Sequence, residues 1–365
     1  MTEQLKLKLN DSKATRWGAL VIVAFTMMAA YYVNDVVAPL KTMLETDLAW
    51  SSTDFGFFTG GYSFLNVFFL MLIWGGLILD RFGIRFTGKL ATILMVGGTA
   101  LEYYAMTGLA GADATLFGIN EIFGYKTGVF VAFAGYSIFG VGAEVAGITV
   151  SKIIAKWFKG KELATAMGVQ VALARIGSQA GYAVAIPLAR AFGISTPVLL
   201  GLVLLLGGMI AFFIFAVMDK KLDKQMEAAA IAAGTEDEEE KFSFKDVKNI
   251  LVNPGFWLIA LLCVLFYSCV FPFQKFASEL MIIKYGINEN VAGTFAGLPA
   301  LGALILTPVF GGFIDKRGKS ASIMLLGSAM LICVHFIYAI PDINYWLVAI
   351  VLMIILGIAF SLVPS

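Results

Sequence analysis

The sequence predicts an all-α, polytopic membrane bundle, and three observations carry that expectation. The chain is too apolar for water: of 365 residues, 59% are hydrophobic and 14% charged, with a mean hydropathy of +0.86. Soluble domains carry about a quarter charged residues. The apolar residues fall into long continuous runs, each near the ~20 residues a helix needs to cross a bilayer. A short glycine–acidic–basic motif also occurs twice, six runs apart. Continuous runs exclude the alternating strands of a membrane β-barrel. A net charge of +1 excludes the basic face that a nucleic-acid partner requires.

Ten runs are separated by charges and turn residues, at 17–43, 54–79, 87–108, 127–156, 163–190, 195–218, 255–283, 290–314, 320–340 and 343–365. Residues 1–16 form a basic N-terminal segment. The run that follows continues to Leu40 with no small-residue cleavage site, so it reads as a first span and not as a removed signal peptide. Residues 17–218 hold six spans. Residues 219–253 are the one long polar connection, with the acidic run Glu236-Asp237-Glu238-Glu239-Glu240, and read as a solvated linker or, alternatively, as a regulatory interaction segment. Residues 254–365 hold four spans. Cys263, Cys269 and Cys333 lie inside apolar runs, without the spacing of a disulfide framework or a metal site. No nucleotide loop, metal cluster or Ser–His–Asp set points to an enzyme or to a bound cofactor.

Basic residues orient the spans. Of the 26 Lys and Arg, twenty fall in the N-terminal segment, the 2–3 loop (Arg81, Arg85, Lys89), the 4–5 turn, the 6–7 linker and the 8–9 loop. Four lie on the other side: Lys41, Lys126, Arg190 and Lys284. The positive-inside rule makes the N terminus and the linker cytoplasmic. Arg175 and Lys275 are left within spans.

The repeated motif reads Gly76-Leu77-Ile78-Leu79-Asp80-Arg81-Phe82-Gly83-Ile84-Arg85 after span 2. It returns as Gly311-Gly312-Phe313-Ile314-Asp315-Lys316-Arg317-Gly318-Lys319 after span 8. Both copies fit G-x-x-x-D-[RK]-x-G, in register across the linker, which points to parallel six-helix halves. The glycines suit close helix approach and a tight reversal.

This pattern resembles the cytoplasmic loop signature of the major facilitator superfamily. The resemblance implies that Asp80 and Asp315 pair with a nearby Arg and face the positive start of a helix in the opposite half. For Asp315 that helix is span 5, near Glu162. A narrower resemblance runs through GVGAEVAGITVSKIIAKWFKGKELATAMGVQVALARIGS, residues 140–178. There the chain is similar to the branch that includes the lysosomal dipeptide uniporter of animals and its bacterial relatives. Val270-Phe271-Pro272-Phe273, Pro308-Val309-Phe310-Gly311 and Ser361-Leu362 fit the same branch. Two six-helix repeats require twelve spans, and run ten ends within an apolar helix at Val363-Pro364-Ser365. The expectation is therefore a chain cut short of spans 11 and 12.

Two charge pairs stand out within the spans. Glu144 lies 12 residues from Lys156, and Arg175 lies 13 from Glu162, so both sit roughly 18–20 Å in, near the midplane. A charge at that depth costs at least ~2.5–3.5 kcal/mol on insertion scales, so each needs a partner or a watered cavity. One reading is a buried ion pair joining adjacent helices. The other is a zwitterion clamp, with Glu144 on an ammonium and Arg175 bidentate on a carboxylate. In the dipeptide carrier that the chain resembles, the matching pair has the clamp role. Asp35 and Lys275 lie toward the outer ends of spans 1 and 7. They form either an outer gate or two charges snorkelling separately. Tyr31, Asn34, Tyr62, Gln170, Tyr267 and Gln274 are candidate cavity residues, Tyr267 through its nearness to Pro272. The lone His335 reads as structural.

Many proton-coupled members of the superfamily carry an Arg where this chain has Tyr136, ahead of Gly140 and Gly142. The expectation is a monomeric carrier of small zwitterions, most of all dipeptides, embedded in the lipid of a bacterial inner membrane and working by facilitated diffusion. Two alternatives stay open. One is a proton-coupled carrier of a small organic anion, with Arg175 on the anion and Glu144 as proton site. The other is a membrane sensor that signals through the linker.

Overall fold

The computed structural model describes residues 8–111, 114–233, 251–317 and 320–363. Helix α1 (Lys13–Val36) is capped by Ser12, whose hydroxyl accepts from the Thr15 amide. It stops ahead of Pro39, earlier than the run to residue 43 suggests. A 3₁₀ turn (Ala38–Leu40) and the short α2 (Lys41–Asp47) follow, because Pro39 has no N–H to continue the α-helical bonding. Helix α3 (Ser52–Phe68) opens on a capping box between Ser51 and Asp54. At Leu70, which has a positive φ of 52°, the chain bends by 58° into α4 (Met71–Thr107). Run 2 is therefore broken, not straight. Gly83 divides α4 at φ 75° and ψ 172°, a conformation only glycine adopts cheaply, and so makes the expected 2–3 reversal.

A hairpin of β1 (Glu121–Ile122) and β2 (Tyr125–Lys126) leads into α5 (Thr127–Trp157). Then come α6 (Leu163–Phe192), α7 (Thr196–Ala233), α8 (Pro254–Ile283), α9 (Glu289–Ala296), α10 (Leu298–Arg317), α11 (Ser320–Ala339) and α12 (Trp346–Leu362). Helix α7 runs well past residue 218, so the first part of the expected linker is helix. Its sequence there, KKLDKQMEAAAIAA, is rich in good helix formers. The acidic run at 236–240 lies outside the described residues.

Among the described residues, six helical segments are long and apolar enough to cross a membrane, and the bent α3–α4 pair is a seventh. Helix α6 has the length, at 30 residues, but carries polar residues along one face. Helix α12 is apolar but has 17 residues. With α4 split at Gly83 and α9 joined to α10, the helices take up the ten runs of the sequence.

The helices form two cores. One draws on residues from α1 to α7, and the other on α8 to α12. Ala38 and Tyr182, from the first half, are buried in the second core. The end of the bundle that holds the start of α1 and the end of α7 is called the linker end below, and the opposite end the far end. Contacts between halves gather toward the far end. There Lys41 Nζ donates to Glu279 Oε1 at 2.5 Å, Tyr182 Oη donates to the Gln274 carbonyl at 3.1 Å, and Arg190 pairs with Glu289.

Close helix approach rests on particular glycines. A Cβ on Gly177 of α6 would lie 2.1 Å from the Met28 carbonyl of α1, and one on Gly140 of α5 would lie 2.3 Å from that of Tyr62 on α3. Gly168 has nothing within 4 Å of that position. Gly177→Val is expected to destabilise the fold by about 3 kcal/mol, as overpacking does, and Gly168→Val by far less. Thermal unfolding in detergent reads both. Equal melting temperatures would refute the close packing of α1 on α6.

Candidate functional site: a charged cavity between the halves

A cavity of about 590 Å³ opens between α1, α3, α5, α6, α8 and α10, within the size range of small-molecule sites. Glu144 and Arg175 both line it, as do Tyr31, Asp35 and Lys275. Glu144 comes from mid-α5, where Gly140 and Gly142 bring the helix against α3 and α4. Its Oε1 accepts a 2.8 Å hydrogen bond from the Tyr62 hydroxyl. Arg175 comes from mid-α6, which Gly177 seats on α1. Its guanidinium lies 4.9 Å from the ring centre of Phe360 on α12 and 5.7 Å from that of Tyr31. Cation–π contact holds the group in place without using its N–H donors. Among the described residues, neither Glu144 nor Arg175 forms an ion pair. The arrangement is not the buried ion pair between adjacent helices; an anionic and a cationic group share one cavity, each free for a ligand.

Sequence reasoning misses Ser178. It lines the cavity one turn beyond Arg175, is buried, and its hydroxyl has no partner among the described residues. The signal was available, since i and i+3 share a helix face. Gln170 does not line the cavity. Five residues before Arg175 it points about 140° away around the helix, at ~100° per residue. Tyr267 is also off the wall, stacked on Phe271 at 5.1 Å and edge-on to Phe360. It backs the aromatic surface that Arg175 touches.

Asp35 and Lys275 do meet. Lys275 Nζ lies 3.7 Å from Asp35 Oδ1, donates to the Asn34 carbonyl at 2.5 Å and to the Tyr136 hydroxyl at 3.1 Å. The two charges do not snorkel separately. Tyr136, fully buried, donates to the Asn34 carbonyl at 2.7 Å, so α1, α5 and α8 are joined at one point. Three helices from two halves thus share one lysine.

The first copy of the motif takes a different set of partners from those expected. Asp80 accepts from Lys152 of α5 at 2.9 Å and not from an arginine. Arg85 turns to α7, where it pairs with Asp219 at 3.1 Å and with Asp223. Lys156 and the Trp157 indole also reach buried Asp219, so this carboxylate anchors the linker end of the first half. Arg81 lies over the Phe82 ring. Gly76 has open space around it, and Gly75 is the glycine in close contact, against Val145. In the second copy, Gly318, the surroundings of Gly311 and the side chains of Asp315 and Lys316 lie outside the described residues. Glu162, the expected neighbour of Asp315, binds Arg16 at 2.7 Å. That hydrogen bond holds the Glu162 carboxyl below its ordinary range, as Lys161 does for Asp11. Depressed carboxylates keep their pairs at neutral pH and lose them only as acid protonates them. Asp11 and Arg16 are therefore clamped to the 4–5 turn at neutral pH.

Comparisons with known proteins agree with this architecture. The family model described as Major Facilitator Superfamily matches residues 19–365. The lysosomal dipeptide transporter MFSD1 of Homo sapiens is 27% identical over 363 residues, covering 96% of this chain and 71% of its own length. The Gallus gallus protein of that name is 31% identical over 241 residues, covering 62% and 51%. Among solved structures, a D-xylose–proton symporter superposes with a TM-score of 0.61 at 15% identity, covering 95% of this chain and 80% of that one. A bacterial homologue of the human drug peptide transporters PepT1 and PepT2 does so at 0.65 and 13%, covering 96% and 82%. At those identities the structures speak for the fold alone. The chain belongs to the major facilitator superfamily: it is a multi-pass membrane transporter of small molecules, and not an enzyme.

Proposed function

We propose that this protein carries small zwitterionic solutes, dipeptides foremost, by facilitated diffusion. The observation that carries the reading is the cavity itself. It holds a carboxylate and a guanidinium, unpaired with each other, at a depth where any charge must be matched. A dipeptide supplies the complement: its ammonium to Glu144 and its carboxylate to the planar fork of Arg175, with Ser178 one turn away. Relatives whose name is that of a dipeptide transporter, at 25–31% identity, support the same class.

Transport proceeds by rocking of two six-helix halves about the cavity. The Asp35–Lys275 bridge acts as the far-side gate and is closed in the described conformation. The excess of basic residues at the linker end favours a cytoplasmic N terminus and linker, in a bacterial inner membrane. The carrier works as a monomer in lipid. Tyr136, in place of a membrane-embedded arginine, supports uniport over proton antiport.

Purified protein in liposomes is the test. A labelled dipeptide is expected to equilibrate without accumulating, to exchange faster when unlabelled dipeptide is inside, and to be outcompeted by dipeptides but not by monocarboxylates. Uptake of a monocarboxylate in its place would assign the organic-anion alternative. Uphill accumulation driven by a pH gradient would overturn uniport.

A further inference from the structure

Glu102 on α4 has no place in the clamp or the gate, yet it is a fully buried carboxyl inside the membrane bundle. Neither of its oxygens has a hydrogen-bond partner among the described residues. The Thr99 hydroxyl, one turn earlier, is buried and unpartnered as well. An ionised carboxylate in that setting would pay a desolvation cost that no hydrogen bond offsets.

The neighbours give that carboxyl a role. Gly98 of α4 and Gly135 of α5 press the two helices together: a Cβ on Gly135 would lie 2.6 Å from the Gly98 carbonyl and 2.9 Å from the Glu102 amide. The titratable groups within electrostatic reach of Glu102 are Tyr136 from α5 and Lys275 from α8. Asp35 of α1 faces the same lysine, and Tyr62 of α3 stands beside the Tyr136 ring. The charged residues of α7 that contact other helices, Asp219 and Asp223, are bonded at the linker end. Lys275 thus has two acidic groups in reach. It now pairs with Asp35, while no hydrogen bond reaches the Glu102 oxygens among the described residues.

We propose that Glu102 is a proton-binding site and the alternative counter-ion of Lys275, so that losing its proton draws the lysine from Asp35 and loosens the far-side gate. The proton acts on the gate and is separate from any proton carried with solute. The protonation rests on burial alone, whereas the link to opening rests on the gate reading above, so the two are tested apart.

Infrared spectroscopy of the purified full chain tests the first. The wild type is expected to show a protonated-carboxyl C=O band that persists across about pH 5 to 8, where free carboxyls are ionised. Glu102→Gln should lack it, and the near-isosteric Glu102→Met serves should the glutamine variant fail to fold. Superimposable wild-type and variant spectra would overturn the site. For the second, spin labels at exposed Thr46 and Asn344, at the far end of each half, report opening in a background with the three native cysteines changed to serine. Raising the pH above that range, to where the wild-type band is lost, is expected to shift the wild-type distances toward a wider population and to leave Glu102→Gln locked. A wild type that ignores pH, or a variant that follows it, would overturn the linkage. Both measurements run without substrate, so neither depends on the dipeptide assignment.

Discussion

Arg175→Ala and Glu144→Ala are each expected to abolish dipeptide uptake while leaving the protein folded. Truncating one partner of a desolvated, hydrogen-bonded charge pair costs about 2–5 kcal/mol of binding. At 1.4 kcal/mol per decade that weakens affinity roughly 30-fold to several thousand-fold. The structure explains why folding should survive. Neither side chain has an ion-pair partner among the described residues, so removing one strands no buried opposite charge. Glu144→Ala frees only the Tyr62 hydroxyl, and Arg175→Ala exposes the faces of Phe360 and Tyr31 to the cavity. Arg175→Lys should be intermediate, because an ammonium keeps the charge but not the bidentate fork or the stacking. Thermal stability and uptake by purified variants, measured together, decide the matter. Retained uptake in both alanine variants would end the clamp.

Reversing either charge of the far-side bridge is expected to lower transport by at least an order of magnitude. Asp35→Lys sets two cations together, and Lys275→Asp sets two carboxylates together. Breaking a buried pair typically costs about 3–5 kcal/mol. The double reversal should recover part of the loss and not all of it. The Asn34 carbonyl and the Tyr136 hydroxyl already direct oxygens at the lysine ammonium, and an aspartate at 275 would find the carbonyl repulsive. Partial rescue in a liposome uptake assay is thus the signature of a pair that matters as a pair. A double variant no better than either single one would remove the bridge from the transport cycle.

What the sequence reveals of this molecule follows from which physical terms are local. Span existence is legible because hydropathy is summed along the chain, and Glu144, Arg175, Asp35 and Lys275 stand out because charge within an apolar run is costly wherever the helix packs. The kinks at Leu70 and Pro39 are not legible in the same sum. Both fall inside apolar runs that hydropathy reads as continuous, and while a proline is a local marker of a break, nothing local marks the left-handed Leu70. Cavity membership needs the rotation of each helix, which is why Gln170 fails while Ser178 goes unnoticed. Motif partners are the least legible. Arg85 lies five residues from Asp80, yet Asp219 on a helix well over a hundred residues later offers it a buried carboxylate. Glu102 passes unread in the sequence, since its burial follows from the crossing of α4 on α5 at Gly98 and Gly135.

The clamp is tested most directly by blocking the two ends of the ligand one at a time. Affinities of a free dipeptide, its N-acetylated form and its C-amidated form are measured on wild type, Glu144→Ala and Arg175→Ala. N-acetylation is expected to weaken binding to the wild type and to Arg175→Ala, but to make no further difference to Glu144→Ala. Amidation should show the converse, with no further loss in Arg175→Ala. Blocking groups that cost each variant as much as they cost the wild type would contradict the assignment of the two charges to the two ends of the solute.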